Sequence, residues 1–296
     1  MTRPVFRVPT DLLRDARSED SVELTGPEGH HARTVRRLGP GEELDLVDGR
    51  GLRAPGVVRE LLPEGLLVGL LADPAPEPVG RLVLVQALAK GDRDLMAVEM
   101  ATELGVAAIV PWQAERSIVQ WRGERGAKAR RKWEQVVRAA AKQSRRATVP
   151  VVAELLDRKR LASLSDANAN VALLVLHEDA DEALAGLDLS AADEVVLVVG
   201  PEGGISPAEL DALRDVGARV VRLGPHVLRA SSAGPAAISV VTLFAFVEDL
   251  SRQFGELCPQ LVAGRLQVGQ ALLVAFLLLA QFRSQRSPFG SQATHF

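Results

Sequence analysis

The sequence predicts an α/β protein in which a parallel sheet, covered by helices on both faces, follows a small, mostly β, barrel-like domain. Three observations carry this. Short β-like runs separated by turn signals occupy the first 73 residues. From residue 81 apolar strands alternate with helical segments, the rhythm of a parallel sheet with crossover connections. Between the two, "ADPAPEPVG" (72–80) is rich in proline and lacks periodicity, as a linker does. The expected organisation is a first domain at 1–73, a linker at 74–80, an α/β domain at 81–248 and an atypical C-terminal extension at 249–296.

In the first domain "PEGHHARTVRRLGPG" (27–41) predicts one short helix ending at Gly39. "GEELDLVDGRG" (41–51) carries an Asp-Gly turn, and "GVVRELLPEGLLVGLL" (56–71) reads as a hairpin turning at Pro63, Glu64 and Gly65. In the second, "RLVLVQAL" is a strand, "DLMAVEMATELG" a helix stopped by Gly105, and "VAAIVP" the next strand. A helix from about residue 127 places Trp133, Val136, Val137 and Ala140 on one apolar stripe. Three more apolar strands follow at 171–176, 194–199 and 218–223, and a helix starts at about Ser231.

Composition excludes several classes. With 47% hydrophobic and 25% charged residues, the 296-residue chain is an ordinary globular protein of about two domains. Cys258 is the only cysteine, which rules out a disulfide framework or a cysteine zinc site. His30, His31, His177, His226 and His295 are scattered without an HExxH pair, so no metal is expected. The N-terminus lacks the apolar stretch of a secretory signal. The apolar run at 271–280 is shorter than the roughly 20 residues that span a bilayer. A cytoplasmic protein with no membrane partner is the expectation.

The chemistry centres on "VVLVVGPEGGISPAELDAL" (195–213), where a buried strand enters a glycine-rich loop and then a helix, the place where α/β proteins hold small ligands. Ser206, Pro207 and Glu209 form a helix start with a capping box. A nucleophile elbow would need glycine where Ala208 stands. No lysine follows the loop as in a P-loop, G-x-G-x-x-G is absent, and Glu202 would repel phosphates. S-adenosylmethionine fits, because its adenosine wants backbone contacts and its sulfonium tolerates a carboxylate; a plain tight turn is the alternative. The neighbouring strands end at Leu176, before His177-Glu178, and at Leu223, before "GPHVLRASSAGPAA" (224–237).

"KGDRDLMAVEMATELGVAAIVPWQAERS" (90–117), "AAAKQSRRATVP" (139–150), "HE" (177–178), "GPEGG" (200–204) and "LGPHVLRASSA" (223–233) occur in that order. Together they resemble the RsmE family of ribosomal RNA methyltransferases, over roughly residues 3–248. The resemblance implies a PUA-like RNA-binding barrel, then a SPOUT-type methyltransferase domain with a C-terminal trefoil knot, a homodimer, and methylation of uridine N3 in 16S rRNA of the small ribosomal subunit. It also implies that Leu176, His177, Gly200, Pro201, Glu202, Gly203, Leu223, Gly224, Leu228 and Arg229 line a site for S-adenosylmethionine. Two departures stand out: Ala230 and Ser231 replace the family's frequent threonine and glutamate, and Lys142 stands where relatives often have glutamate.

Residues 116–146 hold eleven basic against two acidic side chains, in a chain whose net charge is −3. That asymmetry is a footprint for phosphates, with a solvated helix face as the plain alternative. The expected RNA contacts are Arg33, Arg36, Lys90, Arg93, Arg116, Arg138, Lys142, Arg145 and Arg146. Trp121 is a candidate for stacking on bases, whereas Trp112 at a strand end reads as core. For catalysis Arg229 is assigned to stabilise an anionic uracil, with Glu202 and Glu178 as candidate bases. Two further readings remain: a knotted methyltransferase acting on tRNA, and a catalytically silent RNA-binding ribosome-assembly protein.

Overall fold

The computed structural model describes residues 3–254 except 79, 158–159, 162–163 and 165–169. The extension expected after 248, with Cys258, His295 and the apolar run at 271–280, thus falls outside the described residues from 255 onward.

The first sheet contains β1 (Val5–Arg7), β2 (Ser21–Leu24), β3 (Glu43–Val47), β4 (Leu52–Leu62), β5 (Gly65–Leu70) and β6 (Ala75–Pro76). Its order is β1-β3-β4-β5-β2, with β6 beside β4, and all pairings are antiparallel except β1 with β3. Strand alternation sends Leu44 and Leu46 of β3 and Leu66, Val68 and Leu70 of β5 into one core with Phe6 and Leu24. The hairpin pairs Leu62 with Gly65 around Pro63-Glu64, as expected. At the Asp-Gly turn the buried Asp48 carboxylate accepts the N–H groups of Arg50 (2.7 Å) and Leu52 (3.0 Å), and Gly49 adopts a φ of 77°.

The helix here ends earlier than expected. After the short α1 (Asp11–Arg14), it runs over α2 (Gly26–His30) and one wider π turn at His31–Val35, and Arg37 then takes a φ of 55°. Leu38 is thereby buried, and the Gly39 N–H goes to Glu42 Oε2 at 2.7 Å. Burial of Leu38 decides the stop. Glycine chemistry at Gly39 does not.

The second sheet is parallel throughout, in the order β11-β13-β10-β12-β7-β8-β9. Its strands are β7 (Leu82–Ala87), β8 (Ala108–Trp112), β9 (Val151–Val152), β10 (Val171–Leu176), β11 (Glu182–Ala183), β12 (Glu194–Val199) and β13 (Arg219–Arg222). Alternate residues serve opposite faces. Leu84, Leu174 and Leu197 face a layer of α3 (Arg93–Glu103), α4 (Gly123–Gln143) and α6 (Ala230–Phe254), contributing Val98, Trp133, Val137, Ile238 and Val241. Val85, Val175, Val196 and Val198 face α5 (Pro207–Asp215) through Leu213, together with Trp112 and Leu161.

Residues 230–247 of α6 are long and apolar enough to cross a membrane by length and composition, a stretch the sequence reading did not single out. In the fold this helix packs on β7, β12 and α3, and a Cβ on its Gly234 would come within 2.9 Å of Leu84 Cδ1. It covers the sheet.

The two sheets are docked through the segment after α4. Gly49 and Arg50 form bridges with Thr148, and Gly51 N donates to Ala147 O (3.2 Å). Arg53 spans the junction, bonding Asp45 (2.9 Å), Glu77 (2.7 Å) and the Arg145 carbonyl (2.6 Å).

Candidate functional site

β10, β12 and β13 end side by side, with Leu176 in register with Val199 on one flank and Val221 on the other. The chain reaches β13 by leaving β12 through α5 and landing on the far side of β10, so the strand order switches direction here. Such switch points leave a crevice outside the carboxyl ends of the strands. The crevice is a cavity of about 290 Å³ lined by Leu176, His177, Gly200, Pro201, Glu202, Leu228 and Arg229. A smaller one of about 70 Å³ adjoins it, with Leu223 and Gly224 in its wall. Nine of the ten residues expected at the cofactor therefore gather at one place. Gly203 alone lines neither cavity; its missing Cβ leaves room for Arg116, whose Cβ and carbonyl oxygen lie 3.2 Å from where it would be.

The linings also include residues that the sequence reading passed over: Val199, Gly204, Ile205, Val227 and Ala233 in the larger cavity, Arg222 and His226 in the smaller. All lie within or beside the motifs already quoted. What was missing was the strand register that turns them to one side.

The 200–206 loop has a clear local logic. A Cβ on Gly200 would sit 2.7 Å from Ile205 Cγ1, so only glycine lets Ile205 fold back over the strand end. The Gly204 N–H closes a turn on Pro201 O at 2.9 Å with a φ of 75°. Ser206 then caps α5: its hydroxyl accepts the Glu209 N–H, and Glu209 Oε2 accepts the Ser206 N–H at 3.2 Å, the reciprocal box expected. Its hydroxyl also donates to Glu115 Oε2 at 2.7 Å, so it is committed to structure.

Glu202 leans on the turn between β7 and α3, accepting Arg93 Nη1 at 2.9 Å and the Lys90 N–H at 3.4 Å. Burial acts to raise its pKa. Hydrogen bonds from backbone N–H groups and Arg93, with the charge of Arg93, outweigh this and hold the carboxyl below its usual range. In the same turn, burial pushes the Asp94 carboxyl up against the backbone N–H groups that it accepts. Arg229 is exposed on the cavity wall and its carbonyl accepts the Ser232 and Ala233 N–H groups (2.8 and 2.9 Å), opening the first turn of α6. Ala230 and Ser231, the first of the two departures, are both buried, and Ala230 also lines the cavity.

The basic residues are more often paired than their number suggests. Arg33 donates to the carbonyls of Leu62 and Pro63. Lys90 remains exposed, while Arg93 is bound to Glu202. Arg116 reaches Gly203 O at 3.2 Å, and Lys142 bonds Glu28 of the first domain at 2.6 Å. Arg146 is half-buried on Thr102 O (2.7 Å), and burial lowers its pKa despite the charge of Glu77. Arg36, Arg138 and Arg145 keep exposed side chains, as do Arg125, Lys128 and Arg131 on α4. Trp121 is not a free stacking platform: it packs edge-on against Trp133 at 5.2 Å. Trp112 is fully buried, as expected. Among the described residues no three His, Cys, Asp or Glu side chains gather as a metal site requires.

Residues 75–242 match the family described as RNA methyltransferase domain, and residues 24–70 match RNA methyltransferase PUA domain. The chain is 45% identical over 251 residues to the ribosomal RNA small subunit methyltransferase E of Mycobacterium tuberculosis, covering 84% of this chain and 95% of that one. To the protein of the same name in Bacillus subtilis it is 27% identical over 233 residues, covering 75% of this chain and 90% of the other. A crystal structure of ribosomal RNA small subunit methyltransferase E from Neisseria gonorrhoeae, bound to S-adenosyl methionine, superposes with a TM-score of 0.69 at 27% identity, covering 81% of this chain and 97% of that one. The PUA-like curled sheet and the parallel sheet behind it are the SPOUT-type architecture of those relatives. With near-complete coverage of its relatives, the chain belongs to the ribosomal RNA small subunit methyltransferase E family.

Proposed function

We propose that this protein methylates N3 of a specific uridine in 16S rRNA of the small ribosomal subunit, in the cytoplasm and as a homodimer, with S-adenosylmethionine held in the cavity at the ends of β10 and β12. The observation that carries the reading is the lining of that cavity. Apolar Leu176, Val199 and Ile205 stand beside glycine backbone, with a carboxylate kept ionised by Arg93. That combination suits an adenosine and a positively charged sulfonium, and the absence of phosphate from the ligand explains why Glu202 is tolerated. Bound there, S-adenosylmethionine supplies an electrophilic methyl group.

The remaining work falls to the chain. Uridine N3 is a poor nucleophile until it loses its proton, and the resulting anion needs a nearby cation. Arg229 fills that role at the positive N-terminal end of α6, which adds its own dipole. Glu178, exposed on the same cavity wall, takes the proton, because the Glu202 carboxylate is already engaged by Arg93 and the Lys90 N–H. N3 lies on the pairing edge, so the target base is unpaired or flipped out. The exposed cations Arg36, Arg125, Lys128, Arg131, Arg138 and Arg145 hold the RNA backbone. Val227 (76% exposed), in the cavity wall, leaves apolar surface there for a second subunit. The same reading puts a trefoil knot in the C-terminal part of this domain, as the resemblance implies.

Labelled S-adenosylmethionine incubated with small subunits lacking the modification, with naked 16S rRNA and tRNA alongside, tests the reading. N3-methyluridine in ribosomal RNA is the expected product. Label in tRNA or in another nucleoside would overturn the substrate.

A further inference from the structure

The wall of the cavity is held from behind by a residue that does not touch it. Glu115 follows β8 and lies outside both cavity linings. Its backbone N–H donates to Glu209 Oε1 at 2.7 Å, and its Oε2 accepts the Ser206 hydroxyl at 2.7 Å. Glu209 Oε2 in turn accepts the Ser206 N–H at 3.2 Å, and Ser206 Oγ accepts the Glu209 N–H at 3.3 Å. The ring is closed. Both roles of the Ser206 hydroxyl and both oxygens of Glu209 are used, inside a site where Ser206 is 5% exposed and Glu209 fully buried.

A capping box alone would need only Ser206 and Glu209. The third member ties the start of α5 to another strand of the sheet. The next residue, Arg116, grips the other end of the loop through Gly203, at its carbonyl and at the space left by its missing Cβ. These two anchors flank Gly204 and Ile205, which line the cavity.

From this geometry we infer that Glu115 is a positioning residue for cofactor binding, acting through Ser206 on the 200–205 loop; this rests on the reading of the cavity as the S-adenosylmethionine site. The loop shape is then set by β8 as much as by its own glycines. RNA binding on α4 does not depend on it.

Calorimetry with S-adenosylhomocysteine, at a temperature where every variant is folded, tests this. Glu115→Ala removes a hydrogen bond to a charged acceptor and is expected to weaken binding about tenfold. Glu115→Gln keeps an acceptor for the Ser206 hydroxyl and is expected to bind as wild type does. Ser206→Ala, which loses the cap as well as the bond to Glu115, should weaken binding at least as much as Glu115→Ala, and the double variant should be no worse than Ser206→Ala alone. In turnover, KM for S-adenosylmethionine rises in Glu115→Ala while kcat at saturation and RNA affinity hold. A lowered melting temperature with unchanged affinity, or additive losses in the double variant, would overturn the positioning role. Wild-type protein that fails to bind S-adenosylhomocysteine would overturn the cavity reading, and this inference with it.

Discussion

Gly200 illustrates how much a single position controls. Its α-carbon faces Ile205, whose Cγ1 lies 2.7 Å from where a Cβ would stand, and both residues line the cavity. Gly200→Ala therefore displaces Ile205, on our proposal at the expense of the space for S-adenosylmethionine. Overpacking of this kind costs about 1–3 kcal/mol of stability, and the displaced Ile205 is expected to lower affinity for S-adenosylhomocysteine by about tenfold. A thermal melt and a binding isotherm on the same variant separate the loop's shape from overall stability; unchanged affinity would show that Ile205 moves away from the ligand. Gly224 is the contrast. A Cβ there meets nothing within 4 Å, so its glycine is not demanded by the protein's own packing.

At the scale of elements, α4 joins packing to charge. One face buries Trp133, Val137, Ala140 and Ala141, while the opposite face exposes its basic residues. The helix stops in a Schellman arrangement, with Arg145 N on Lys142 O (3.1 Å) and Arg146 N on Ala141 O (2.9 Å). Arg145 holds the left-handed position at a φ of 59°, which usually belongs to glycine. Arg145→Gly should then stabilise the protein by about 1 kcal/mol and weaken RNA binding, because an exposed cation is lost. Denaturant titration and salt-dependent RNA binding read the two effects. A variant that is stabilised yet binds RNA unchanged would remove Arg145 from the RNA surface.

For the whole molecule, the decisive feature is the docking of the first domain against the end of α4. Arg53 holds it by linking β4 to Glu77 and to the Arg145 carbonyl, and Lys142 adds a bond to Glu28. A glutamate at that place would repel Glu28, so lysine there has a local use in this chain. Because the Arg53 side chain is partly exposed, Arg53→Ala is expected to cost only about 1 kcal/mol of stability. The larger effect belongs to function. RNA affinity falls as the two basic surfaces lose their mutual orientation, while cofactor affinity holds. RNA binding equal to wild type would mean that the domains read the RNA independently.

Much of this was legible in the chain itself. Alternation of apolar residues fixes each strand's two faces, Ser206-Pro207-x-Glu209 sets the start of α5, and the motif order points to the cofactor loops; these are local, and the physics of pleating, capping and glycine sterics acts within a few residues. Other features exist only because distant segments meet. Trp121 and Arg146 read as RNA-facing until packing claims them, and Arg130, Lys132 and Lys142 of the basic cluster prove to be held in ion pairs. Glu115 carries no signal in its own neighbourhood; its place comes from β8 lying beside β7, which lies beside β12. The sequence by itself determined the two domains' classes and nine of the residues that gather at the cavity. Only the tertiary structure decided which charges remain available and what braces the loop, because pairing and bracing are properties of contacts between residues far apart in the chain.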